Sequence, residues 1–145
     1  MTITELINKK IKLDGGYTQL DIDNAEKELG LKLPSDLVDV LLETKQIVFE
    51  QQGLEISLDK VSKWIEFRGF HNLEWLVQER KNDLSNDVYI FMDEYLQIGD
   101  TFGQDLILIG FANGKENSIC FYSEEDEIIK LCDSIYDFIN NHLML

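Results

Sequence analysis

Lysine and arginine are scarce in this chain of 145 residues: 13 stand against 28 aspartates and glutamates, a formal net charge of −15. A folded domain of this size exposes about 7,700 Å², so roughly one net negative charge falls on every 500 Å². Such a surface repels phosphate backbones and anionic headgroups, which argues against nucleic acid and membrane as partners. It attracts and steers a basic protein instead. Histidine is rarer still, with only His71 and His142, so a Ser/His/Asp or Cys/His catalytic site would have to use one of these two. Neither has a telling neighbour in sequence. Cysteine is limited to Cys120 and Cys132, expected as free thiols in a reducing compartment. A zinc site would have to draw on Cys120, Cys132, His71 and His142, and no short ligand pair of the usual kind is present. The longest apolar run, Leu106 to Ala112, is far short of the roughly 20 residues that cross a bilayer. The first ten residues carry Glu5 and lack the basic-then-apolar layout of a signal peptide, so the expected compartment is the cytoplasm. The only proline is Pro34. With no linker, repeat or low-complexity tract, residues 1–145 read as a single domain.

What is present is the material of a core. Apolar residues make up 44% of the chain, and a domain of this length buries roughly 70% of its unfolded surface. The first half reads as mainly helical. Ile3, Leu6 and Ile7 share a face of a helix over Met1 to Ile11. Asp21 is placed to cap a helix carrying Ile22, Ala25 and Leu29, and Gly30 to end it. Ser35 follows Pro34 as the cap of a second helix with Leu37, Val40 and Leu41 inward. A strand is expected over Gln46 to Gln51 and an extended piece over Leu54 to Leu58. Asp59 then reads as the cap of a short helix with Val61, Trp64 and Ile65, and a further helix runs from about Leu73 to Arg80. The second half turns to β-branched and aromatic residues. Val88 to Met92, Leu106 to Phe111 and Ser118 to Tyr122 read as strands, the last two joined by the loop Gly110 to Asn117. Ile135, Phe138, Ile139 and Leu143 set out a closing helix. The fold class is α+β, with a mostly antiparallel sheet of about five to six strands flanked by helices. Ile22, Ala25, Leu29, Leu37, Leu41, Ile107, Ile109, Ile119, Phe121, Phe138 and Ile139 are the expected core.

Two motifs come near to known chemistry. Asp83 to Glu94 offers oxygen ligands at positions one, three, five and twelve of a calcium loop, but Val88 stands where the sharp turn requires glycine. Gly99-Asp-Thr-Phe-Gly103-Gln-Asp105 has two glycines, yet no phosphate-binding lysine follows and Asp100 and Asp105 would repel a phosphate; it reads as a tight connection between strands. No catalytic residue, cofactor or metal is expected.

Several segments resemble the SUKH superfamily, which includes fungal regulators of cell-wall synthesis and many bacterial immunity proteins. The first is Ile22-x-x-Ala25-Glu26-x-x-Leu29-Gly30-Leu-x-Leu33-Pro34-x-Asp36. Ile98-Gly99-Asp100 with Gly103-x-Asp105-Leu-Ile-Leu is similar to the family's glycine-rich turn and central strand. Ser118-Ile-Cys-Phe-Tyr122 with its following acids, and Ser134-Ile-Tyr-Asp-Phe138-Ile, resemble the next strand and the closing helix. Many members carry Asn-Gly-Gly after the second helix, where this chain reads Thr44-Lys45-Gln46. The resemblance implies an α+β fold and no enzymatic role.

Charge and resemblance together predict a non-enzymatic protein-binding domain. The first reading is an immunity protein that neutralises a basic, nuclease-like toxin domain, since nucleases are basic in order to grip phosphate. The second is a regulatory or scaffold module like the cell-wall regulators. A hydrolase working through the acids near Gly99 is the least supported. The expected partner-binding residues are Asp93, Glu94, Asp100, Asp105, Glu124, Glu125 and Asp126, all at or beside strand ends. Trp64, Phe67, Phe70 and Trp75 form a second candidate surface.

Overall fold

The computed structural model describes residues 15–48, 53–58, 61–86, 93–101, 105–122 and 127–144, with the backbone alone over 47–48, 53–58, 61–68, 83–86 and 143–144. The expected helix over Met1 to Ile11 and the expected strand over Val88 to Met92 lie outside these residues. Helix α1, Gln19–Leu29, begins with a capping box. Thr18 Oγ1 accepts from the Asp21 N–H at 3.2 Å, and Asp21 Oδ2 accepts from the Thr18 N–H at 2.9 Å. Asp21 is therefore the third helical residue and not the cap, because the hydroxyl three positions earlier reaches the orphan N–H first. Gly30 ends the helix at φ 73°, the left-handed conformation glycine adopts without penalty. Helix α2 is Ser35–Glu43, with Pro34 at the cap position and no side-chain cap from within the segment. Ser35 does not cap it. Asn117, from the far half of the chain, supplies the acceptor instead: its Oδ1 takes the Asp36 N–H at 3.0 Å.

The strands are β1 (Ile47–Val48), β2 (Gly53–Leu58), β3 (Val61–Phe70), β4 (Tyr95–Thr101), β5 (Leu106–Gly110), β6 (Ile119–Tyr122), β7 (Ile128–Cys132) and β8 (Leu143–Met144). They form one sheet of order β7-β6-β5-β4-β3-β2-β8, with β1 paired to β3. Every strand pair is antiparallel. The α+β class stands. Six strands have four residues or more and two are short pairs.

Three local expectations are corrected. Val61, Trp64 and Ile65 lie in strand β3 and not in a helix, because residues 61–66 pair with β2 and residues 67–70 with β4. Helix α3, Leu73–Asn86, runs beyond Arg80 and takes in Asp83 to Asn86. Gly99 and Asp100 are inside β4 and not in a connection. The chain end also differs. Helix α4 is only Ile135–Asp137, continues as a π-turn over Phe138–His142, and gives way to β8, where Leu143 pairs with Leu54. Strand β7 has no counterpart among the expected elements.

The helices cover one face of the sheet. Ile22, Ala25, Leu37, Leu41, Ile107, Ile109, Ile119, Phe121, Phe138 and Ile139 are buried there as expected, while Leu29 is only partly buried at the margin. The opposite face carries a smaller buried cluster of Tyr95, Leu106, Leu108, Cys120 and Tyr122. Strand β5 is thus buried on both faces. After α2, Thr44 forms a parallel bridge with Gly15. Gly16 lies so close that a Cβ there would sit 2.1 Å from the Leu42 carbonyl oxygen.

Candidate partner-binding surface

The signature segment between α1 and α2 is held by carboxylates. Glu26 Oε2 accepts from the Leu33 N–H at 2.7 Å, closing the turn that Gly30 opens. Asp36 Oδ2 accepts from the Ile135 N–H at 3.0 Å, which ties α2 to the start of α4. Burial pushes the Asp36 carboxyl above its ordinary range, and Asp39 adds to this, while the Ile135 hydrogen bond opposes it. Asn117 Nδ2 completes the knot by donating to Ser35 Oγ at 3.1 Å. These groups position the scaffold and are spent on internal bonds.

The sheet register decides which of the expected acids lie together. Asp100 pairs with Leu106, Leu106 with Tyr122, and Tyr122 with Ile128. One row across the sheet therefore carries Asp100, Asp105 beside Leu106, and both flanks of the acidic segment. Three strand spacings make that row about 14 Å wide. Glu124, Glu125 and Asp126 themselves lie outside the described residues. Asp93 and Glu94 belong to the opposite end of β4, where Tyr95 pairs with Gly110. Six extended residues separate Glu94 from Asp100 by about 20 Å. Glu94 is also neutralised there by Lys115, whose ammonium lies over the Tyr95 ring at 5.5 Å.

At the Asp100 end no lysine or arginine pairs with Asp100 or Asp105 among the described residues. The neighbour is His71, whose Nε2 is 3.6 Å from Asp100 Oδ2. The His71 ring stacks on Trp75 at 3.6 Å between centroids. Asn72 Oδ1 accepts from the Trp75 N–H at 2.8 Å and so fixes the first turn of α3 beneath it. Phe70 is buried edge-on against Phe138. The four aromatics thus do not form one helical face. Trp75 alone stands on a helix, and the side chains of Trp64 and Phe67 are outside the described set.

Sequence reasoning missed an acidic cleft of about 320 Å³ between α1 and α3, lined by Tyr17, Asp21, Glu28, Leu73, Glu74 and Gln78 among others. The Tyr17 hydroxyl donates to Glu74 Oε2 and accepts from the Leu73 N–H at 3.0 Å. No local signal could have found it, since its walls are more than forty positions apart. A second grouping also went unread: Cys132, Asp137 and His142 lie together. The composition is that of a nucleophile, acid and base. Yet burial pushes the Cys132 thiol up to about 12, so it is no thiolate at neutral pH and no ready nucleophile.

The sequence profile of the SMI1/KNR4 family (SUKH-1) matches residues 16–141, nearly the whole chain. The chain belongs to the SMI1/KNR4 family. The match begins beside the Gly15–Thr44 bridge and ends within the π-turn, so it takes in the carboxylate knot and strands β1 to β7 of this SUKH-1 domain. No curated protein matches the chain closely. Among the described residues of this SUKH-1 chain, no helix is long and apolar enough to cross a membrane.

Proposed function

We propose that this SUKH-1 protein is a non-enzymatic binding domain, an immunity protein that covers the basic surface of a nuclease-like toxin domain. The observation that carries this reading is the row at one end of the sheet. Asp100 and Asp105 lie there without a lysine or arginine partner among the described residues, on a chain of net charge −15. The acidic segment leaves and rejoins the sheet at the same row. Half-buried Trp75 stands beside it, an aromatic of the kind that anchors interfaces. Asp93 and Glu94 are left out of the proposed surface, since they sit at the other end and Glu94 is already paired.

The test is association kinetics, by surface plasmon resonance, against a nuclease-like toxin domain, taken from the neighbouring gene where that gene encodes one. Glu124→Lys, Glu125→Lys and Asp126→Lys are combined in one variant, and Asp21→Lys, Glu28→Lys in the α1–α3 cleft serve as the comparison. Steered association depends on unscreened charge, and the Debye length shrinks from about 30 Å at 0.01 M salt to about 8 Å at 0.15 M. The wild type should associate more slowly at the higher salt, and the triple variant should be slow at both. A rate changed only by the cleft variant would move the interface to α1–α3. No complex at all would overturn the immunity reading in favour of the scaffold module.

A further inference from the structure

We propose that Cys132, Asp137 and His142 form a three-ligand site for a zinc ion at the C-terminal end of the sheet. One ligand atom from each lies within 4.8 Å of the other two. Zinc bonds of 2.0–2.3 Å in a tetrahedron separate ligand atoms by about 3.5 Å, so closure needs movements of about 1 Å. The donors are one sulfur, one nitrogen and one oxygen, a set suited to zinc and poorly suited to calcium or magnesium, which take oxygen.

The spacing explains both why the site escapes the usual motif and how it forms. The three residues are five positions apart, and no α-helix brings i and i+5 onto one face. Here Asp137 ends α4 and the next five residues, Phe138–His142, are a π-turn, whose i→i+5 pattern returns His142 to Asp137. Cys132 is the last residue of β7, separated from the start of α4 only by Asp133 and Ser134. Each ligand is held. Asn141 Nδ2 donates to Asp137 Oδ1, and the Asp137 N–H donates to Ser134 Oγ at 3.0 Å. The His142 ring lies nearly parallel to Phe138, 14° between planes. Lys130, two residues before Cys132, pairs with Asp133. Supporting groups of this kind orient metal ligands.

Without a cation the Cys132 thiol donates to the Ser134 carbonyl at 3.3 Å. Burial keeps it protonated, and Asp137 and Asp133 add to that. Zinc would break the S–H bond, form S–Zn and release the proton to water, its two positive charges balancing thiolate and carboxylate. Three protein ligands leave a fourth position for water or a partner's side chain.

Cobalt(II) added to the reduced, metal-free full-length protein is the probe, with zinc titration calorimetry beside it. The expected result is one ion per chain, a thiolate-to-cobalt charge-transfer band, and displacement of cobalt by zinc. His142→Gln should weaken binding at least tenfold, and Cys132→Ser should abolish the band. Cys120→Ser, on the other face of the sheet, should change neither. His142 is half-buried, so its variant should fold even if the Cys132 variant does not. No thiolate band in the wild type, or full affinity retained in His142→Gln, would overturn the proposal.

Discussion

Glu26 does at residue scale what its neighbours in the signature do in concert. Its helix ends one turn later, yet its carboxylate reaches forward seven positions to take the Leu33 N–H. That N–H belongs to a buried leucine between two helices and has no ladder to join. A charged acceptor lost from such a donor costs about 1–3 kcal/mol. Glu26→Ala should therefore lower the unfolding free energy by about 2 kcal/mol with an unchanged slope in urea, and Glu26→Gln should restore part of it. A cost below about 0.5 kcal/mol for the alanine variant would mean that water satisfies Leu33.

At the scale of elements, tyrosine hydroxyls link helices that share few other polar contacts. Tyr17, ahead of α1, donates to Glu74 on α3. Tyr136 on α4 donates to Asp39 on α2 at 2.8 Å. Burial first, and then the carboxylate acceptors, push both phenols up to about 12. Tyr95 is pushed equally far by burial and by Cys120. In the unfolded chain these phenols ionise near 10. Between pH 10 and 12 the unfolded chain thus binds fewer protons than the folded one, and stability must fall as pH rises. Below pH 10 this contribution is fully present. Spectrophotometric titration should show at least three of the five tyrosines ionising late, together with alkaline unfolding. All five ionising near 10 in a still-folded chain would contradict the linkage.

For the whole molecule, electrostatics is governed by self-repulsion. With a net charge of −15, the compact state concentrates like charge that the unfolded chain disperses. Pairs such as Lys81–Glu28 and Lys130–Asp133 offset little, being exposed. Raising sodium chloride from 0.01 M to 0.15 M should therefore raise the Tm, by about 2–4 °C if roughly 1 kcal/mol of repulsion is screened in a domain of this size. A Tm that falls with salt would show that ion pairs outweigh the repulsion.

What the sequence determined by itself was whatever rests on short-range chemistry. The 3.6-residue spacing of Ile22, Ala25, Leu37 and Leu41, the left-handed stop at Gly30, and the alternation through Ile107, Ile109, Ile119 and Phe121 each follow from neighbours in the chain. So does the acidic balance. The tertiary structure decided what depends on partners far away. Strand β3 is a strand because β2, β4 and β1 pair with it, against a local pattern that also suits a helix. Register alone placed Asp100 and Asp105 on one row and Asp93 and Glu94 about 20 Å off. The α1–α3 cleft needs residues from both helices. The Cys132, Asp137 and His142 cluster needs a π-turn, a departure from helical spacing that no periodicity in the sequence announces.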